Sequence, residues 1–258
     1  IEDLMEYYLN NAEEREVIAK NGYLEAHSKH TFAHRIAELI AGHFPRYELI
    51  GEDKNKKKDP NPIEISKTAS GDLIKTAHPN KRHLRIFAAF ANVNWENYNL
   101  QPALEEFGEV VRYDWLPQYN QYDPQWHWGK KQQMNMDLFQ FVKKAHEKKP
   151  IDVFFGYLSG RLVSPGIVRA ITMMEIPTLN LALDDKSKFL GNLEPTGFAG
   201  PADIASAFTL CWTSTKDAEQ KYKQLGAKVV YMPAGANPHF FKPMNLARDI
   251  DICFIGQN

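Results

Sequence analysis

IDVFFGYLSGRLVSPGIVRAITMMEIPTLNLALDD, residues 151–185, is the stretch whose reading decides the fold. An apolar run at 151–158 is followed by a polar turn at 159–164 and a helix-like segment. A second apolar run then ends in Asp184 and Asp185. Short runs rich in Val, Ile and Phe, separated by a helix, read as neighbouring strands of a parallel sheet buried on both faces. Ligands of such sheets sit beyond the carboxyl ends of the strands. Here those ends carry Ser159, Gly160 and Arg161 in one case and two adjacent carboxylates in the other.

Working outward, the same alternation continues. Strands are expected at 84–91, 109–113, 152–158, 177–183, 209–213 and 228–232, with helices at 100–107, 134–148, 165–175, 202–208 and 215–225. Ser164 before Pro165 reads as an N-cap and a first-turn proline, and Gly226 after Leu225 as a helix stop. The pattern predicts an α/β fold with a doubly wound, Rossmann-like parallel sheet and right-handed crossovers. In the usual strand order the chain starts at 84–91, moves out to 109–113, and returns so that 152–158 flanks the first strand from the other side. The switch point then lies between the loop 92–98 (NVNWENY) and the turn 159–164 (SGRLVS). No Gly-rich phosphate fingerprint follows the first strand, which disfavours a dinucleotide dehydrogenase.

Ahead of this domain, residues 1–43 read as three short helices, too few to make a core alone. Asp3 and Asn11 open capping-box patterns, and Thr31 caps the third helix, whose Phe32, Ile36, Leu39 and Ile40 share one face. Whether these helices pack on the sheet or on something else stays open. His27, His30 and His34 share a helical spacing, but no carboxylate or cysteine completes a ligand set, so no metal site is expected. The segment 46–80, with its DKNKKKDPNP run, reads as a solvated linker.

Composition narrows the function classes. A net charge of −1 disfavours a generic nucleic-acid binder. The 2 cysteines, Cys211 and Cys253, give no disulfide framework and fit a reducing cytoplasm. No apolar run reaches the roughly 20 residues that cross a bilayer. Residue 1 is Ile and the chain closes on a strand-like DICFIG, so both ends read as cuts in a longer protein.

Several places carry chemistry. The start of the helix at Pro165, with Arg161 and Arg169, suits an anionic group; equally, Arg161 ties its loop to a carboxylate and Ser164 only caps. Asp184 or Asp185 at a strand end suits a general base; equally, one of them caps the helix that follows. The loop 114–132 holds Trp115, Tyr119, Tyr122, Trp126 and Trp128, flat rings that suit the C–H face of a sugar. The competing reading is a flap of rings packed over the sheet.

The segment KVVYMPAGANPHFFKPMNLARDIDICFIG, residues 228–256, resembles the interdomain junction of two-domain (GT-B) glycosyltransferases, with Pro233, Gly235, Asn237 and Phe241 in the motif positions. Together with DVFFGYLSG, IPTLNLALDD and residues 213–227, it looks most like the spore-maturation (CgeB-like) family. YYLNNAEEREVIAKNGYLEAHSKHTFAHRIAEL, residues 7–39, resembles the C-terminal tail of that family's second domain. The resemblance implies a tandem protein. Residues 1–45 are then the tail of a preceding module, 81–247 a Rossmann-like acceptor-side domain, and 248–258 the start of a donor domain that is largely missing.

The implied activity is that of a cytoplasmic, hexosyltransferase-like enzyme moving a sugar from a nucleotide-sugar donor to a hydroxyl acceptor, without cofactor or bound metal. Asp184 or Asp185 would be the base. Asn92, Trp95, Asn97, Tyr98, Ser159, Gly160, Arg161 and Trp126 would line the acceptor side, and Gly256 and Gln257 the donor side. Without its donor domain the piece alone is expected to be inactive. The alternative is a non-catalytic carbohydrate-binding or scaffolding domain of the same fold.

Overall fold

Six short, apolar runs pair side by side in a computed structural model that describes residues 2–43, 83–93, 95–242, 244 and 253. The expected linker at 46–80 and the Gly256–Gln257 turn lie outside the described residues. Three helices come first: α1 (Glu2–Asn10), α2 (Ala12–Lys29) and α3 (Phe32–His43). The α/β part then runs β1 (Leu84–Ala89), α4 (Gln101–Glu105), β2 (Gly108–Tyr113), α5 (Lys130–Lys148), β3 (Val153–Gly156), α6 (Pro165–Met173) and β4 (Thr178–Ala182). It continues with α7 (Asp185–Lys188), a two-stranded hairpin of β5 (Leu193–Glu194) and β6 (Gly197–Phe198), β7 (Leu210–Thr213), α8 (Glu219–Gln224) and β8 (Val229–Tyr231).

The main sheet is parallel, in the order β2-β1-β3-β4-β7-β8. The chain reverses direction across β1, so the switch point falls between β1 and β3 as the sequence pattern predicts. Side chains alternate between two cores. Phe87, Ala89 and Phe154 enter one, packed under α5, α6 and α8. Ile86, Ala88, Val153 and Phe155 enter the other. This period of two is why the strands read as unbroken apolar runs: both faces are covered.

The two faces are covered differently. Crossovers after β2, β3, β4 and β7 all contribute to the first core. On the second face the β1–β2 crossover supplies the buried helical residues Leu100, Ala103 and Leu104, and the crossovers after β3 and β4 add just the partly buried Tyr157 and Leu183 among the described residues. The apolar side of β4 and β7 on that face therefore needs a layer from elsewhere, and α3 supplies it. Phe32, Ala33, Ile36, Leu39 and Ile40 are buried there beside Leu179, Leu181, Leu210 and Trp212. Each such large side chain, fully buried, contributes roughly 1.5–3 kcal/mol. Phe32 stands edge-on to Trp95 with ring centroids 5.5 Å apart.

The start of α3 is fixed as well. Thr31 Oγ1 accepts from the His34 amide at 3.2 Å, the expected cap. Phe32 N donates to Ala236 O and Ala236 N to His30 O, both at 3.2 Å. Gly235 leaves room for this contact, since a Cβ there would lie 2.2 Å from Phe32 N. By contrast α1 and α2 bury no residue.

Local departures from expectation have physical causes. The segment 202–208 forms two 3-10 turns, Pro201–Asp203 and Ala205–Ala207, rather than one helix. The segment before α4 starts as a π-helix, Glu96–Leu100. Ser164 is an N-cap without a side-chain cap bond; its amide and hydroxyl both donate to Asn135 Oδ1, at 2.7 and 2.9 Å. Asn11 likewise forms no cap bond, its Nδ2 donating back to Tyr7 O at 2.7 Å. The hairpin β5–β6 has no signature in the sequence, because strands of two residues carry no periodicity.

Candidate functional site

At the carboxyl edge of the sheet the polar residues divide into two groups. The first lies at the switch point. The chain leaves β1 through a loop held by Arg112 of β2, whose Nη2 donates to Ala91 O at 2.9 Å and Nη1 to Asn97 Oδ1 at 2.6 Å. The guanidinium also lies 4.5 Å from the centre of the Phe90 ring. Asn97 in turn donates to Asn92 Oδ1, and the Asn92 amide donates to Asp114 Oδ1 at 3.1 Å. Asn92 and Asn97 are thus braces of the loop. Tyr98 stacks on Phe240 with ring centroids 4.6 Å apart, and its carbonyl accepts from Asn237 Nδ2. It anchors the segment 233–241 to the edge.

What this bracing presents is a small set of different character. The indole of Trp95 lies 5.7 Å from the ring of Tyr157, the first residue after β3. Beside them is Glu96, 7% exposed, whose Oε2 is closed to solvent and has no hydrogen-bond partner among the described residues. Burial pushes the Glu96 carboxyl above its ordinary range, opposed by its own backbone amide and by Arg112. Burial, with Asp184 and Glu96 nearby, pushes the Tyr157 hydroxyl up to about 12. Asp184 is exposed, precedes α7 and makes no side-chain cap bond. Trp95, expected from the sequence, therefore lies against Tyr157 and next to Glu96, which were not, and Asp184 acts on Tyr157 through its charge. Glu96 is the one acidic residue of NVNWENY, a signal open to a sequence reading; nothing marks Tyr157 except its place after a strand.

The second group is tied together by ion pairs and hydrogen bonds, with Glu194 Oε2 left without a hydrogen bond among the described residues. Arg161 forms an ion pair with Glu194 of β5 and lies 5.8 Å from the centre of the Tyr122 ring. His127 Nε2 lies 3.5 Å from Glu194, and its Nδ1 is 3.1 Å from Thr196 Oγ1. Lys131, 5% exposed, donates to Gly160 O at 2.6 Å and to Thr196 Oγ1 at 2.9 Å. Burial lowers the Lys131 pKa, opposed by Asp203 and Glu194. Trp126 is buried and donates through Nε1 to Arg161 O at 2.9 Å. Gly160 N and Arg161 N donate to Gly200 O and Ala199 O, both at 3.0 Å, and Ser159 O accepts the amides of Leu162 and Val163. A Cβ on Gly160 would lie 2.0 Å from Phe198 O, so glycine here permits backbone packing. Ser159, Gly160, Arg161 and Trp126 hold the hairpin against its loop, the tie to a carboxylate that the sequence left as one of two readings for Arg161.

The paired carboxylates part company. Asp185 is 1% exposed and turns into the first core, where Oδ2 accepts from the Tyr222 hydroxyl at 2.9 Å. Burial and Asp185 push the Cys211 thiol up to about 12. Only Asp184 stays at the edge. The three helical histidines also have separate surroundings: His27 packs on Tyr23, His30 Nδ1 lies 2.7 Å from Arg35 Nη2, and His34 Nδ1 lies 2.6 Å from Thr31 Oγ1. Among the described residues no cluster of His, Cys, Asp and Glu has metal-binding geometry, and no helix is long and apolar enough to cross a membrane. The chain matches no family model and no curated protein.

Proposed function

We propose that this chain forms the acceptor-side part of a glycosyltransferase that moves a sugar from a nucleotide-sugar donor to a hydroxyl-bearing acceptor. The observation that carries this reading is the contact of two aromatic rings beside a buried carboxyl at the switch point of a parallel sheet, with an exposed carboxylate one strand over. Trp95 and Tyr157 are only partly buried, which leaves ring surface for a sugar, and the exposed Asp184 offers oxygens to hydroxyls. The resemblance of residues 228–256 to a GT-B junction gives the reaction class, and Tyr98, Asn237 and Phe240 tie that segment to the same edge. Activating a hydroxyl needs a group that accepts its proton. Of the two aspartates at the end of β4, the burial of Asp185 under Tyr222 leaves Asp184 as the edge carboxylate. A broad panel of nucleotide sugars and hydroxyl acceptors offered to the full-length protein tests the reading: transfer or donor hydrolysis is expected, and neither with any donor would overturn it.

A second reading, a non-catalytic carbohydrate-binding domain, is favoured by the exposure of Tyr122 and Trp128, which stand 75% and 71% open to solvent. It expects glycan binding without turnover. Replacing both rings by alanine would abolish that binding, whereas the transferase reading expects turnover to survive the change.

A further inference from the structure

Among the carboxylates at the edge, Asp184 and Glu96 differ in their surroundings. Asp184 is exposed, so water satisfies its oxygens. Glu96 Oε2 is closed to solvent and has no donor among the described residues; Asp185 Oδ1 and Glu194 Oε2 are in the same position, but Asp185 is held by Tyr222 and Glu194 by Arg161 and His127. A buried acceptor left without a donor costs roughly 1–3 kcal/mol, more if charged, and is kept where something else supplies the missing bond. The backbone that carries Glu96 is also irregular. It is the first residue of the π-helix Glu96–Leu100, a form often found at functional sites. Asn99 Nδ2 donates to Trp95 O at 2.9 Å and closes that turn.

We infer that Glu96 is the general base of the transfer reaction, and that the acceptor hydroxyl is the donor its Oε2 lacks. The inference rests on the glycosyltransferase reading and deepens it. In the step, the acceptor O–H proton passes to the Glu96 carboxylate. The acceptor oxygen forms a bond to the anomeric carbon. The bond from that carbon to the diphosphate oxygen breaks, and its electron pair leaves with the nucleoside diphosphate. Atoms and charge balance, since the proton held on Glu96 offsets the negative charge gained by the leaving group. Asp184 serves as a hydroxyl-binding group at the rim, and the Tyr157 hydroxyl remains protonated as a hydrogen-bond donor.

Burial tunes Glu96 for this role. A carboxyl raised toward the working pH is a better proton acceptor than a fully hydrated one. The charged and titratable groups around it are Arg112 of β2 and Tyr157 after β3; Asp184 lies near Tyr157, and Glu105 and Asp114 near Arg112. Arg112 limits the rise, so the carboxylate form exists above the raised midpoint. Activity then increases as pH climbs through that midpoint.

The test uses the full-length protein and the nucleotide sugar it turns over. Glu96→Gln is expected to lower kcat by about 100- to 10,000-fold with KM for the donor changed less than threefold. The acid limb of its kcat/KM profile disappears, and Glu96→Asp restores part of both. Glu96→Gln should melt at or above the wild-type temperature at pH 7, because it removes a poorly solvated charge; this separates lost chemistry from lost folding. Transfer by Glu96→Gln within threefold of wild type, or an unchanged acid limb, would overturn the assignment while leaving the transferase reading intact. A wild-type protein that neither transfers nor hydrolyses any donor would overturn that reading and this proposal with it.

Discussion

The two polar groups at the sheet edge contain much the same residue types, yet they are built on opposite plans. Around the hairpin, Lys131, Arg161, His127 and Glu194 each face a partner within the network, although Glu194 Oε2, 3.5 Å from His127, accepts no hydrogen bond among the described residues, as Glu96 Oε2 does not. At the switch point, Glu96 keeps an oxygen that nothing among the described residues engages, and Asp184 stands open to solvent. Placement alone does not mark a site, since both groups sit beyond strand ends. Ion pairing separates them: Glu194 is held between Arg161 and His127, whereas Glu96 forms no ion pair among the described residues and has a bond left for a ligand.

The hairpin group should therefore break as structure. The largest effect is expected from Lys131→Met. It removes the donor that Gly160 O and Thr196 Oγ1 share and the buried cation near Glu194 and Asp203. A loss of about 3 kcal/mol follows, an apparent melting point lower by ~6–12 °C for a chain of this size. A thermal melt checks it; a shift under 2 °C would mean that the network is not what holds the hairpin. Arg161→Ala comes next. Its guanidinium is 27% exposed, so the ion pair to Glu194 is partly screened and the cost is about 1–2 kcal/mol. Amide exchange should quicken at 193–198 far more than in β3.

How much of this contrast was legible in the sequence follows from what each feature depends on. The sheet, its strand order and the switch point were readable because apolar runs and helix periods are local signals that a buried parallel sheet repeats six times. The docking of α3 was half readable: Phe32, Ile36, Leu39 and Ile40 marked one face, but nothing local says what covers it. The structural ties of Ser159, Gly160 and Arg161 are not local, because Arg161 and Glu194 are far apart in sequence and only the fold joins them. The bracing of Asn92 and Asn97 is hidden from the sequence for the same reason, since Arg112 arrives from β2. Glu96 lay inside the loop that position singled out. Its difference from its neighbours is burial, which sequence does not display.

A smaller effect would sharpen the contrast from the open side. The Tyr157 hydroxyl, pushed up to about 12, keeps its proton in the folded chain while an unfolded tyrosine loses its own near 10. Between those values the unfolded state binds fewer protons, so stability falls as pH rises from 10 to 12. Tyr157→Phe removes this contribution. After a discount for partial exposure, the variant should lose about 1 kcal/mol less than wild type across that window. Denaturant titrations at pH 9.5 and 11.5 measure it, and parallel losses in the two proteins would remove Tyr157 from the site's electrostatics.

The smallest change in stability, and the cleanest separation of the two groups, is expected for Asp184→Asn. Asp184 is exposed and makes no side-chain cap bond, so the substitution should stay within about 0.5 kcal/mol of wild type. Its consequence lies elsewhere. After burial, the charge of Asp184 has the largest part in raising the Tyr157 hydroxyl. Neutralising it makes the phenolate easier to form, so the Tyr157 midpoint, read as the ultraviolet difference between this variant and its Tyr157→Phe double, should move below 12. On the transferase reading, the same variant of the full-length protein should weaken acceptor binding and leave kcat within about tenfold, in contrast to the loss expected for Glu96→Gln. If instead Asp184→Asn lowers kcat as far as Glu96→Gln does, the proton goes to the exposed carboxylate and the buried one is a positioning group. An unchanged Tyr157 midpoint with unchanged acceptor binding would separate Asp184 from the site altogether.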